Sequence, residues 1–189
     1  MCVNSSAWHS SDPVKLSASI KTMDLSTIDE SLRGFSDAVR IGRYAYLTPM
    51  NSADFVYSCS MVRVNLGTYD IGTTINDALS TNGNIRSIID ILNLAKVNSG
   101  LCGFSSLFSS GQYLLLVPYR NSYEPQNGQR GHGNLVRLNM NDYSVTGVEY
   151  IDLASTTRNQ IPSFADTNLR GFSYGFACKL NSSLLFFGI

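Results

Sequence analysis

A chain of 189 residues is long enough for one ordinary globular domain and too short for several independent cores. Fourteen basic residues balance fourteen acidic ones, so no net field draws the chain toward nucleic acid or an anionic membrane. Charged residues make up only 15%, while Ser (26) and Asn (16) are abundant, and nine Phe with ten Tyr exclude a disordered chain and favour strands over helices.

Residues 1–20 form a polar N-terminal segment, and 21–189 form the folded region, which divides into units at about 21–89, 90–148 and 149–189. The start, MCVNSSAWHSSDPVK, has no apolar signal core, and no run approaches the roughly 18 apolar residues of a membrane span. A soluble, cytoplasmic chain with no membrane partner is the expectation. Cys2, Cys59, Cys102 and Cys178 stand far apart without a C-x-x-C pair, which speaks against zinc and redox chemistry and predicts free thiols.

In the first unit, Asp24-Leu25-Ser26 leads to a strand from Gly34 to Ile41, a turn at Gly42 and a strand from Arg43 to Thr48. Proline cannot donate to a sheet ladder, so Pro49 marks the end of that second strand. A third strand covers Met61 to Leu66. Ile85, Ile88, Ile89, Leu92 and Ala95 fall at helical spacings, but β-branched isoleucines in register with a strand favour the pleat. The second unit repeats the order: Asn93-Leu94-Ala95, a strand from Gly103 to Ser110, a turn at Gly111, a strand from Gln112 to Val117, and Pro118. The Gly-, Asn- and Gln-rich stretch from Arg120 to Gly133 reads as the longest loop. Strands at Leu135 to Met140 and Gly147 to Leu153 complete this unit. The third unit opens with Asp152-Leu153-Ala154 and Gly171-Phe172, loses register after Phe176 and has no third or fourth strand.

Gly34-Phe35, Gly103-Phe104 and Gly171-Phe172 are separated by 69 and then 68 residues. Ser36, Tyr44, Leu47 and Pro49 align without a gap on Ser105, Tyr113, Leu116 and Pro118. After an insertion of five residues, Val62-Arg63, Asn65 and Tyr69 align on Val136-Arg137, Asn139 and Tyr143. A four-stranded antiparallel meander recurring along a chain is the blade of a β-propeller. The predicted fold is therefore all-β, an incomplete propeller of two full units and a partial third. The other arrangements consistent with the pattern are an open stack of sheets and a ring completed by several subunits. The recurrent L-x-G-F, G-x-Y, Pro and V-R-x-N resembles a little-characterised group of tandem-repeat, kelch-like propeller proteins over most of residues 24–189. That resemblance implies a fold more than a function. The period exceeds the ~40 to 50 residues of WD40 and kelch repeats, whose Trp-Asp and Gly-Gly signatures are absent.

The chemistry of the sequence is sparse. Of two histidines, His9 lies in the polar N-terminal segment and His132 in Gly131-His132-Gly133, where a solvated turn residue is expected rather than a base. No G-x-S-x-G elbow, P-loop or metal-ligand cluster is visible, so no catalytic residue, metal or cofactor is assigned. Asp24 and Asp152 recur at the same point of a unit, which a shared turn explains more simply than catalysis; Glu124, Asp142, Glu149 and Asp166 carry no motif. Arg63 and Arg137 are expected to pin one sheet to the next, and Tyr44 and Tyr113 to pack between sheets. The functional expectation is a non-catalytic recognition or scaffold module whose long loop presents Arg120, Tyr123, Arg130 and His132 to a protein or carbohydrate ligand. Self-association, or missing blades, at an exposed sheet edge belongs to the same reading. The alternative is a carbohydrate-active propeller enzyme using two facing carboxylates.

Overall fold

The computed structural model describes residues 24–51, 56–67, 85–121, 131–154, 169–180 and 183–187. The described chain is all-β. Strands β1 (Phe35–Ile41), β2 (Tyr44–Pro49), β3 (Ser60–Asn65) and β4 (Ile89–Asn93) form one antiparallel sheet in the order β1-β2-β3-β4. Strands β5 (Phe104–Ser110), β6 (Tyr113–Pro118), β7 (Asn134–Asn139) and β8 (Val148–Asp152) form a second sheet in the order β5-β6-β7-β8. A two-stranded hairpin, β9 (Tyr174–Leu180) with β10 (Ser183–Phe187), follows. The helical pieces among the described residues are single 3₁₀ turns at Leu25–Thr27, Ile85–Ile88, Leu94–Lys96 and Val145–Gly147. The isoleucine-rich stretch is thus a 3₁₀ turn running into a strand.

Sequence landmarks mark matching places in the two sheets. Ala38 pairs with Leu47 as Leu107 pairs with Leu116, and Arg63 faces Asp90 as Arg137 faces Glu149. Gly42 and Gly111 turn the first hairpins with φ of 58° and 59°, the left-handed region that glycine enters without steric cost. Each proline closes its strand. Asp24, Asn93 and Asp152 each accept the backbone N–H two residues on, from Ser26, Ala95 and Ala154, at 2.9 Å. Asn65 and Asn139 do the same for Gly67 and Asn141 at 3.0 Å. These acids and amides are turn formers.

Side chains alternate across a strand, so each sheet offers two faces. Tyr46, Met61 and Leu92 of the first sheet meet Leu114, Leu116, Val136, Leu138 and Val148 of the second, and this layer, with Leu94, Leu101 and Phe104, is the main core. The opposite face of the first sheet, Val62, Val64 and Ile89, is covered by Leu25 and Leu32. Burial on both faces accounts for near-continuous apolar runs such as Tyr113–Pro118.

One expectation fails. Cys59 and Cys102 form a disulfide across a sequence separation of 43. Separation along the chain hid their proximity: pairing of Ser60 with Asn93 brings Cys59 beside Leu94, whose N–H bonds to the Cys59 carbonyl at 2.9 Å. The Gly103 N–H then bonds to the Ser58 carbonyl at 3.0 Å, which sets Cys102 against Cys59. The free-thiol reading is corrected for this pair; Cys2 and the Cys178 side chain lie outside the described residues.

Candidate binding face

Two places draw the polar side chains together: the junction between consecutive sheets, and the face of the second sheet that looks away from the first. The junction is built on backbone. Gly103, at φ 71°, docks under the first sheet's β2–β3 connection, and a Cβ there would overlap the Arg120 carbonyl oxygen. Gly171, at φ 67°, repeats the manoeuvre on the second sheet, its N–H bonding to the His132 carbonyl at 3.2 Å. Ser36 Oγ donates to the Phe104 carbonyl at 2.9 Å, and Ser105 Oγ donates to the Phe172 carbonyl at 2.7 Å. So β9 is seated on β5 as β5 is seated on β1.

The long loop closes on this junction. Arg120 bridges Gly131 in an antiparallel pair, and its guanidinium lies 4.9 Å from the centroid of the Tyr119 ring. Tyr123 and Arg130 lie outside the described residues. His132 is not the solvated turn residue that its setting predicts: it is 6% exposed, edge-on to Phe104 at 5.3 Å. Its Nδ1 accepts from the Asn134 N–H at 3.3 Å, so Nε2 carries the proton and donates to the Gly103 carbonyl at 3.0 Å. Burial holds the imidazole below its ordinary pKa, against the opposing pull of the Gly103 carbonyl and Asp152. Neutral His132 ties the loop end to the start of β5. The flanking glycines were the legible signal, because both allow close approach: a Cβ on Gly131 would meet the Gly171 backbone at 2.9 Å, and one on Gly133 the Ala154 backbone at 2.6 Å.

Arg63 and Arg137 hold matching register positions in the two sheets, Arg63 against the second sheet and Arg137 on the outer face. Arg63 donates from Nε and Nη2 to Asp90 Oδ2 at 2.9 and 2.7 Å, and its guanidinium lies over two rings, Tyr44 of its own sheet at 4.5 Å and Tyr143 of the second sheet at 4.3 Å. Burial opposes the charge of Arg63, but the hydrogen bonds and charge of Asp90 outweigh it and hold the guanidinium above its ordinary value. Burial also pushes the Tyr143 hydroxyl far up. Arg63 thus meets the next sheet through the Tyr143 ring, while its acid partner belongs to its own sheet.

Arg137 has the same neighbours within its own sheet. It pairs with Glu149 at 2.5 Å and covers the Tyr113 ring at 4.5 Å. Among the described residues no ring from beyond the sheet lies on it. The Arg63 side chain is 18% exposed and that of Arg137 47%. By register, Leu115, Leu135 and Ile151 stand where Tyr46, Met61 and Leu92 stand in the first sheet. Leu92 is buried in the layer between the sheets, whereas its counterpart Ile151 is 38% exposed. Leu115, Leu135, Arg137, Glu149, Tyr150 and Ile151 line an open depression of about 250 Å³ there.

Carboxylates near these places hold structure. Glu149 serves Arg137, and Asp142 accepts from Ser144 Oγ at 2.6 Å and Thr146 Oγ1 at 2.8 Å, bonds that hold its pKa below the ordinary value. Among the described residues no group of three or more His, Cys, Asp or Glu could hold a metal ion, and no helix is long and apolar enough to cross a membrane. Compared with protein families, with characterised proteins and with solved structures, the chain finds no match.

Proposed function

We propose that the two sheets are consecutive blades of an incomplete propeller of the tandem-repeat, kelch-like kind, and that the chain is a non-catalytic recognition or scaffold module. The outer face of the second sheet is its binding surface. One observation carries this reading: the first sheet's face of the same register is sealed by a neighbouring sheet, while the second sheet's remains open at Arg137 and Ile151. An apolar floor rimmed by a charged pair is the composition of a polypeptide-binding patch, with Leu and Ile supplying area and Arg a directional, stackable contact.

The carbohydrate-enzyme alternative gains nothing from the described acids. A general acid needs a raised pKa, and Asp142 is shifted the other way. The Cys59–Cys102 disulfide weighs against the cytoplasmic placement expected from the lack of a signal core, because disulfides persist chiefly in oxidising surroundings.

Ile151→Lys tests the surface. It places a charge in the open face without touching the layer between the sheets. Peptides selected by display against the intact protein should lose at least about tenfold in affinity for I151K while its melting temperature is unchanged. Selected peptides that all retain their affinity for I151K would show that the protein's preferred binding surface is elsewhere.

A further inference from the structure

We propose that the Cys59–Cys102 bond is a thiol-exchange site, opened and closed on the folded protein by small thiols that attack Cys59, and not a cross-link that the fold requires. The site lies at the junction between the sheets and is independent of the binding face.

The chain contains its own comparison, because the junction of the first sheet with β5 and that of the second sheet with β9 share one set of backbone hydrogen bonds. The Ser58 N–H bonds to the Met50 carbonyl and the His132 N–H to the Tyr119 carbonyl, both at 3.1 Å. The Leu94 N–H reaches the Cys59 carbonyl and the Leu153 N–H the Gly133 carbonyl, both at 2.9 Å. The Gly103 N–H reaches Ser58 at 3.0 Å, as the Gly171 N–H reaches His132 at 3.2 Å. In this register Gly133 stands in the place of Cys59 and Arg170 in the place of Cys102. The second junction is therefore made with no sulfur at either position, and the disulfide is an addition to a docking that hydrogen bonds already hold.

The two sulfurs differ in access. Cys59 is partly exposed, whereas Cys102 is 4% exposed between the buried Leu101 and the docked Gly103. Exchange follows access and thiolate character, and a bond that solvent reaches is the labile kind. An incoming thiolate attacks Cys59 Sγ: a new S–S bond forms there, the bond to Cys102 breaks, and Cys102 leaves as a thiolate that takes a proton from water. A second thiolate attacks the outer sulfur of the mixed disulfide and releases Cys59 thiolate together with the oxidised thiol dimer. Two thiols thus supply the two electrons. The dithiol state has acceptors in place, since Cys102 Sγ lies 3.4 Å from the Ser99 carbonyl oxygen and Cys59 Sγ 4.0 Å from that of Tyr57.

The test treats the oxidised full-length protein with reduced glutathione in native buffer, quenches with acid at intervals and maps the adducts by mass spectrometry. The bond is expected to open without denaturant, with the mixed disulfide on Cys59 at least about tenfold more abundant than on Cys102. The reduced protein should keep its near-ultraviolet circular dichroism and a cooperative urea transition, and oxidised glutathione should restore the bond between the same two sulfurs. Single variants separate the sulfurs without the return attack: Cys102→Ser should take up oxidised glutathione at Cys59 at least about tenfold faster than Cys59→Ser takes it up at Cys102. Opening only in urea, equal attack on the two sulfurs, loss of the near-ultraviolet signal on reduction, or reoxidation onto Cys2 or Cys178 each overturns the exchange site. The mapping on the parent protein decides the matter even where a single variant fails to fold.

Discussion

The guanidinium of Arg63 lies 4.3 Å from the centroid of the Tyr143 ring, and this contact joins the β3–β4 side of one sheet to the β7–β8 connection of the next. The Tyr143 hydroxyl is buried and has no hydrogen-bond partner among the described residues, so ring and hydroxyl contribute with opposite sign. Tyr143→Phe keeps the stack and removes the unpartnered group; it is expected to leave stability unchanged or raise it by about 1 kcal/mol. Tyr143→Ala removes the ring and should cost about 2–4 kcal/mol in a urea titration. A double-mutant cycle with Arg63→Ala should return a coupling of about 0.5–2 kcal/mol, and a coupling near zero would mean that the stack holds nothing.

Thr48 is fully buried and its Oγ1 also has no partner among the described residues. The matching place in the second sheet, one residue past Leu116, is Val117, which is buried just as completely. The second sheet thus already contains the isosteric apolar solution. Thr48→Val is expected to stabilise the protein by about 1–2 kcal/mol and, for a chain of this size, to raise the melting temperature by about 2–6 °C in calorimetry. A lower melting temperature would reveal a hydroxyl that is satisfied in solution.

Strands and turns were legible because their determinants are local. Gly42 and Gly111 announce hairpins, Pro49 and Pro118 announce strand ends, and Asp24, Asn93 and Asp152 announce a turn by their recurrence. What the sequence hid is set by contacts between units. Cys59 and Cys102 meet only because Gly103 docks beneath Ser58, and no spacing rule encodes that docking. His132 was misread for the same reason: its neighbours are Gly and Gly in sequence, but Phe104, Gly103 and Gly171 in space. Arg63 and Arg137 illustrate the limit for the binding face. Their sequence surroundings are nearly alike, and only the presence of a covering sheet separates a buried pin from an exposed one.

The Cys59–Cys102 bond closes a loop across a sequence separation of 43 and ties the two sheets together beside their junction. Loop-closure entropy for that length corresponds to about 4 kcal/mol of stabilisation. Replacing both cysteines by serine, or adding a thiol reductant, should lower the urea midpoint by an amount corresponding to about 2–4 kcal/mol. The double variant should be insensitive to reductant. If reductant leaves the midpoint of the parent protein unmoved, the bond does not contribute as a cross-link.

His132 sets a pH dependence whose sign follows from its buried, neutral state. The folded pKa lies below the unfolded value of about 6.5, so above that pH both states are neutral and the residue adds no slope. As pH falls below 6.5 the unfolded chain takes up a proton that the folded chain refuses, and stability drops by up to about 1.4 kcal/mol per pH unit until the folded pKa is reached. The carboxylates of Asp24, Asp29 and Asp142 have lowered pKa values, so their own losses begin only under more acidic conditions. Urea midpoints measured from pH 7.5 to pH 5 should therefore decline below 6.5 in the parent protein. In His132→Gln, which keeps a side-chain donor for the Gly103 carbonyl but cannot titrate, the decline should disappear over that window. A decline of the same size in the variant would place the responsible proton elsewhere.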